Sequence, residues 1–399
     1  MATKLQYQLL SLIHTSRIRS LAPKPFFRPS HRPLSAYGYT QSKALVYHTP
    51  GPPSTVLNLH SSALSPPHAS LVTLRFLVSP INPADINTIE GTYPLKPPLS
   101  PDLGGATVGG GEGLAEVLAV GGDVKSLSRG DWVLPAGGRW ACGSWRTNAQ
   151  VQAQELVKIE KRGVEKLFAG SVGVNPLTAL VMLRQSGLEK GDWFVQNGAN
   201  SAVGTMAAQI GKVLGLKSIA VVRRRDTEAE TQALKDKLLE AGATVVATDA
   251  ELGEADFKDR VASWTSGSPR GVRLALNCTG GRSVLSMAKT LGKGATVLTY
   301  GAMARQPLPP VPFSLMVFRD IRFRGFWLSR WAREKPELQK EWVQELLEWH
   351  RQGLLQAPPI EEIMWNFGTK EPGLKEAVAR AMLGFRKGKP AFVFGDDTG

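Results

Sequence analysis

The feature that most limits what this chain can fold into is the run Asp192-Trp-Phe-Val-Gln-Asn-Gly-Ala-Asn-Ser-Ala-Val-Gly204. Residues 192–196 read as a buried strand, the next few as a turn of small side chains, and 202–214 as a helix. A strand that gives way to a helix across so tight a turn is the repeating unit of a parallel sheet covered by helices. The alternation then continues. Residues 218–222 are a predicted strand, 227–241 a helix, and 244–247, 274–277 and 296–299 further short apolar strands. The fold class is therefore α/β, with a doubly wound parallel sheet beginning near Asn175.

Ahead of Asn175 the texture differs. Residues 43–47, 71–78, 113–120 and 132–134 are short strand candidates between Pro and Gly turns, and 82–91 can carry a short helical turn. Such a region is mainly β and closes most naturally as a barrel. Trp140 and Trp145, on either side of Gly143, are read as packing residues in a loop near the surface of this region. An amphipathic helix at 337–351 leads out of the α/β part. The apolar stretch 390–394 is a strand placed to return to the β region.

The turn after residue 196 has chemical meaning. In a dinucleotide-binding fold it lets backbone N–H groups and the helix N-terminus approach a pyrophosphate, which a bulky side chain would prevent. Gly198 and Gly204 are present, but Asn200 and Ser201 stand between them and the G-x-G-x-x-G spacing is not met. An ordinary strand-turn-helix connection stays open as an alternative. The following strand adds a second signal, because it ends in Arg223-Arg224-Arg225. An acid commonly stands there, about 20 residues after the glycine turn, to hold a free ribose hydroxyl. Guanidinium groups instead suit a 2′-phosphate, through charge-assisted and often bidentate hydrogen bonds. NADPH is thus the expected cofactor, with a solvated basic run as the competing reading.

The formal charge of +14 does not by itself point to nucleic acid. Six of the positive charges, from Lys4 to Arg32, fall in the first 42 residues, and no acid occurs before Asp85. Basic, serine-bearing and acid-free is the composition of an organelle transit peptide, a disordered basic arm being the alternative. The remainder carries about +8, which is compatible with phosphate-bearing ligands. Two cysteines, Cys142 and Cys278, cannot build a disulfide framework or a four-cysteine zinc site, and no Cys/His cluster has ligand spacing. Cys278 follows an apolar run and reads as a buried strand residue. No stretch is long and apolar enough to span a membrane.

Several motifs together carry a resemblance. Ile81-Asn-Pro-Ala-Asp-Ile-Asn-Thr-Ile-Glu-Gly-Thr-Tyr-Pro94, Asn175-Pro-Leu-Thr-Ala179 and the turn through Gly204 are the most specific, followed by Leu276-Asn-Cys-Thr-Gly-Gly281, Thr299-Tyr-Gly-Ala-Met303 and Arg324-Gly-Phe-Trp-Leu-Ser329. Over most of the chain from residue 43 to 394, the sequence resembles the mitochondrial trans-2-enoyl-CoA/acyl-carrier-protein reductases of the zinc-independent medium-chain dehydrogenase/reductase superfamily. The resemblance implies a matrix enzyme with a transit peptide over 1–42 and a GroES-like, mainly β catalytic domain over 43–174 and 340–399. A Rossmann domain over 175–339 would bind NADPH, and the assembly would be a homodimer. The residues themselves point to no nucleic-acid partner and no membrane span. It places the proton donor at Tyr93 and cofactor contacts at Asn175, Asn200, Ser201, Ala202, Val203, Arg223, Arg224, Arg225, Tyr300, Gly301, Ala302, Met303, Phe326, Trp327, Leu328 and Lys389. One departure is Gly109-Gly110-Gly111-Glu112-Gly113, where the family usually has Gly-Asn-Glu-Gly.

The implied reaction saturates the double bond of a 2-enoyl thioester carried on acyl-carrier protein or coenzyme A. Hydride reaches the β-carbon and a proton the α-carbon, so a phenolic hydroxyl, protonated at neutral pH, suits Tyr93. Tyrosine before proline is also a common packing residue. Trp327 could line the acyl pocket or be core on a strand over 322–327. Two rival functions are a quinone or enone reductase of the same superfamily and a non-catalytic NADPH-fold protein that binds RNA or a partner. The absence of aromatic-basic interleaving speaks against the second.

Overall fold

Apolar residues on both faces of a strand mark it as central, and the strand that begins at Leu71 has nine residues in ten apolar or small. The structure, a computed structural model, describes residues 38–100, 103–382 and 388–395. It places that strand, β3, at the heart of a seven-stranded sheet. The first part of the chain forms β1 (Thr40–Tyr47), β2 (Asn58–Leu64), β3 (Leu71–Pro80), β4 (Thr107–Val108), β5 (Leu114–Val120), β6 (Trp132–Pro135), β7 (Asn148–Gln152) and β8 (Leu156–Ile159). Next come β9 (Trp193–Gln196), β10 (Lys217–Val222), β11 (Val245–Thr248), β12 (Val272–Asn277), β13 (Leu291–Thr299) and β14 (Arg322–Gly325), and the chain closes with β15 (Ile360–Trp365) and β16 (Lys389–Phe394).

The β region holds two sheets, in the orders β2-β1-β4 and β15-β16-β3-β5-β6-β8, with β7 paired to β3. The last strand of the chain is therefore an inner strand, antiparallel to β3 and parallel to β15. The strands β2, β7, β8 and β15 had no counterpart in the sequence reading. They are short, and β2 and β7 are rich in polar residues, such as Asn-Ala-Gln-Val-Gln in β7, so pairing with neighbours decides those two more than pattern does. The basic N-terminal segment lies outside the described residues up to position 37, while Thr40 to Ser42 already pair with β2.

The six remaining strands run parallel in the order β11-β10-β9-β12-β13-β14. Numbered from the first strand of the domain this is 3-2-1-4-5-6, the Rossmann order. The helix Pro336–Arg351 follows, and the expected change of domain at residue 340 falls within it. One apolar core joins Val78, Leu114 and Leu134 of the β region to Leu180 and Phe194 of the parallel part and to Leu346 of that helix.

Two corrections concern the tryptophans. Trp140 and Trp145 do not lie near the surface: they are 3 % and 0 % exposed, in the core of the β region. Trp145 stacks edge-on against Phe392 of β16, with ring centroids 5.8 Å apart. Its indole also lies across Gly109 and Gly110, where Gly110 has φ of +80°. A Cβ at 110 would fall 2.6 Å from Trp145 Nε1. Gly110→Ala is therefore expected to destabilise the protein by roughly 2–4 kcal/mol, combining left-handed backbone strain with overpacking. The shift of the urea midpoint measures it, and an unchanged midpoint would show that the indole does not constrain this loop.

Candidate active site

In a parallel sheet every strand delivers its C-terminal loop to the same end, so residues distant in sequence meet along one crevice. Here β9 ends in the turn 197–201, β10 in Arg223 to Arg225, β12 in Cys278 to Gly281, β13 in Tyr300 to Met303, and β14 in Phe326 to Leu328. Fourteen of the cofactor residues expected from the sequence thus lie at one end of this sheet or on the helix that follows β9. Backbone hydrogen bonds lock the loops together. Ala199 N–H donates to Val221 O at 3.1 Å, Tyr300 N–H to Asn277 O at 2.9 Å and Met303 N–H to Cys278 O at 2.9 Å. The Asn197 amide donates to Asn277 Oδ1 at 2.8 Å, and its carbonyl oxygen accepts from Cys278 N–H at 2.9 Å.

The turn has the form that a phosphate needs. Ser201 caps the helix Ala202–Val213 by accepting from Gly204 N–H at 3.1 Å. A Cβ at Gly204 would lie 2.6 Å from Ala199 O, so only glycine lets the helix start this close to the turn. Arg223 and Arg224 are exposed just past β10, and the backbone N–H of Arg224 donates to Asp249 Oδ1 at 3.0 Å. Cys278 is buried, and burial pushes its thiol up, which leaves it a packing residue rather than a nucleophile. It lies just beyond the end of β12 instead of within a strand.

Tyr93 reaches the same crevice from the β region. The helix Pro83–Ile89 starts at Asn82 in a capping box with Asp85, and its C-terminal turn holds Tyr93 N–H against Asn87 O at 3.1 Å. The Tyr93 hydroxyl accepts from Trp327 Nε1 at 2.7 Å, and the two rings meet edge-to-face at 5.9 Å. Trp327 lies two residues beyond β14, half-buried, so it is neither core nor strand. Because the Tyr93 oxygen accepts this bond, its own proton is left for another acceptor.

At the other end of that helix, about 10 Å away by helical rise, the expected Lys389 lies in a buried polar cluster whose other members, Asn82, Asp85, Glu112 and Arg139, sequence reasoning missed. Lys389 Nζ donates to Asn82 Oδ1 at 2.6 Å, and Asn82 Nδ2 donates to Glu112 Oε2 at 2.8 Å. Glu112 Oε1 accepts from Val174 N–H at 2.8 Å. Asp85 Oδ2 accepts from Asn82 N–H at 2.9 Å, and its other oxygen lies 3.6 Å from the Arg139 guanidinium. Burial raises the Asp85 carboxyl, with Arg139 opposing. Burial likewise pushes Glu112 up to about 8, against the pull of Lys389 and Asn82. The signal for Glu112 was present in the sequence, an acid enclosed by glycines in a chain segment with no other charge.

The glycines beside it have a structural reason. A Cβ at Gly111 would lie 2.5 Å from Cζ of Arg139, so the guanidinium fills the space that an asparagine there would use. Asn175, on the first turn of the helix Asn175–Gln185, is buried, and its amide nitrogen has no protein acceptor. A buried donor of this kind fits a bound oxygen-rich ligand. With the small-residue turn and the arginine cluster, the described residues fit a phosphorylated dinucleotide.

This is the two-domain arrangement of a nucleotide-dependent dehydrogenase or reductase, and comparison with known proteins agrees. The model of the alcohol dehydrogenase GroES-like domain matches residues 68–170, and that of the zinc-binding dehydrogenase matches 202–349. Among the described residues no group of three or more His, Cys, Asp or Glu is placed to hold a metal ion, so the zinc in the latter name finds no ligand set here. The mitochondrial enoyl-[acyl-carrier-protein] reductase of Yarrowia lipolytica is 40% identical over 354 residues, covering 88% of this chain and 89% of that protein. A solved complex of Etr1p with NADP and crotonyl-CoA superposes with a TM-score of 0.83 at 33% identity, covering 88% of this chain and 99% of that one. The mitochondrial Etr1p/Etr2p heterodimer of Candida tropicalis gives 0.81 at 34% identity, covering 88% and 99%. The chain belongs to the family of mitochondrial enoyl-[acyl-carrier-protein] reductases.

Glu112 links proton binding to folding. Its folded value, about 8, lies above the ordinary 4.5 of an exposed glutamate. The folded state therefore holds the proton more tightly. This contribution to stability is complete below the unfolded value and is lost as pH rises through the folded one. Denaturation midpoints between about pH 5 and pH 8 should fall with rising pH more steeply for the parent than for Glu112→Gln, the difference reaching a few kcal/mol. Parallel pH profiles would show that Glu112 does not titrate in this range.

Proposed function

We propose that Tyr93 and the loops at the end of the parallel sheet act on the two ends of one bond, in the NADPH-dependent reduction of trans-2-enoyl thioesters. The protein is an enoyl-thioester reductase that works in the mitochondrion and uses acyl chains carried on acyl-carrier protein or coenzyme A. NADPH, when bound, supplies the hydride that the β-carbon receives. The chain's own residues bind, orient and protonate. Backbone N–H groups at Asn200 to Val203 face the pyrophosphate, with Asn175, Tyr300 to Met303 and Phe326 to Leu328 along the remaining length. Arg223, Arg224 and Arg225 answer the 2′-phosphate with guanidinium charge.

The observation that carries this reading is the hydrogen bond from Trp327 Nε1 to the Tyr93 hydroxyl at 2.7 Å. It fixes a phenol at the rim of the nucleotide crevice with its proton directed to another acceptor. Delivery of that proton to the α-carbon completes the reduction. A quinone reductase has no need of a donor placed in this way, which favours the thioester over the quinone. NADPH oxidation with trans-2-enoyl-CoA thioesters tests it. The parent should be active with NADPH and nearly inactive with NADH. Tyr93→Phe should lose about 10²–10⁴ in kcat while keeping its affinity for NADPH. Replacing Arg223 and Arg225 by Ala should raise the KM for NADPH at least about tenfold and leave that for NADH unmoved. Equal kcat for parent and Tyr93→Phe removes the tyrosine from its role.

The working assembly in this reading is a homodimer. β14 is an outer strand of the parallel sheet, and just ahead of it Phe313 and Phe318 are 80% and 76% exposed. An open strand edge beside large apolar side chains calls for cover, and a second copy of this chain offers the same edge. Light scattering at micromolar concentration should give twice the mass of the chain for the parent and one chain mass for Phe318→Asp. A monomeric parent would exclude the dimer.

A further inference from the structure

We propose that Glu112 is a positioning residue of the reductase, which holds Lys389 and the start of the helix Asn175–Gln185 in one fixed arrangement and thereby sets the affinity for the nucleotide. The proposal rests on the functional reading above only for where the nucleotide lies.

The geometry allows one pattern of donors and acceptors. Glu112 accepts at both oxygens, from Val174 N–H at 2.8 Å and from Asn82 Nδ2 at 2.8 Å. Asn82 has to present its amide nitrogen to that carboxylate, because its oxygen is committed to the Lys389 ammonium at 2.6 Å. The orientation of the Asn82 amide is therefore dictated from both sides. Through Val174 the same carboxylate anchors the residue that precedes Asn175 and caps its helix. Glu112 is 4% exposed, so bulk water does not reach it to replace a lost partner. The charged groups around it are Lys389 on β16, Asp85 on the helix Pro83–Ile89, Arg139 beyond β6, and Lys340 on the helix Pro336–Arg351, which lines a small cavity with it. A carboxylate in this place thus joins both domains of the chain. It reaches Lys389 through one intervening amide and lies one residue from Asn175.

A carboxamide cannot take over this role. In Glu112→Gln one end still accepts from Val174, but the other is a donor and faces the donor end of Asn82. If Asn82 turns over, its nitrogen then faces the Lys389 ammonium. Either way a buried donor is left without an acceptor. Exchanging the two functional groups removes the conflict. In the double variant Glu112→Gln with Asn82→Asp, the new carboxylate at position 82 accepts both from the new amide at 112 and from Lys389, and the net charge of the cluster is kept.

Nucleotide affinity is read directly at about pH 9, where Glu112 is ionised and accepts at both oxygens, by fluorescence titration of NADPH without thioester, alongside kcat and KM with a trans-2-enoyl-CoA. The Kd for NADPH should rise at least about tenfold in Glu112→Gln, kcat should fall by less than that factor, and the double variant should return to within about threefold of the parent. Parent-like affinity in Glu112→Gln overturns the proposal, as does a double variant that folds and binds no better than the single one. Should Glu112→Gln melt too early to assay, the double variant decides alone, since it must bind NADPH as the parent does. If the parent binds NADPH but reduces no enoyl thioester, the functional reading fails while the titration still judges Glu112.

Discussion

The structure depends on an apolar core that does not stop at the border between its two sheets. Val78, Leu114 and Leu134 of the β region, Leu177, Leu180 and Phe194 of the parallel part, and Leu346 and Leu347 of the helix Pro336–Arg351 belong to one buried cluster. Burying such side chains contributes on the order of 1.5–3 kcal/mol each. A shared core of this size holds the two parts against each other. The crevice between the sheets can then hold Tyr93 against Trp327 at hydrogen-bond distance, although 234 residues separate them. The proton transfer proposed for Tyr93 needs that fixity, since a donor displaced by an ångström loses much of its effect.

Much of the parallel half is legible in the sequence. Strands such as β9, β10 and β12 are short apolar runs followed by glycine or charge, and a buried parallel strand has no other way to look. The helix expected from 202 starts at Ala202 with Ser201 as its cap, and the one expected from about 227 starts one residue on, at Glu228, with Thr227 as its cap. The β half was less legible. In β7, a pairing partner supplied by a distant segment outweighs the weak local preference of Gln and Asn. Trp140 and Trp145 misled for a related reason. Glycines around an aromatic residue suggest a surface loop, whereas here they make room for an indole in the core.

The site divides in the same way. The arginines after β10 and the small-residue turn were visible because their spacing follows a rule of the fold. Asn82 and Glu112 were in view as letters of quoted motifs, but nothing local pairs a residue before one helix with an acid 30 positions on. Their meaning lies in a contact with Lys389, and only the assembled sheet brings that residue near. A glycine at 111 looked like a lost polar group. The guanidinium of Arg139, which arrives from a different loop, occupies the vacated volume.

The placement of β16 has a consequence for how the molecule comes into being. Its six residues sit between β15 and β3, so the sheet of the first domain stays open until residues 389–394 have been made. A chain that emerges, or crosses an organelle boundary, from its N-terminus exposes β3 with a vacant edge while the Rossmann part forms. Contacts of such long range are slow to close, and an unpaired edge invites association with other chains. The same strand brings Lys389 with it, so the step that seals the sheet also completes the buried cluster with Asn82 and Glu112. A molecule truncated before β16 would lack that ammonium as well as its strand.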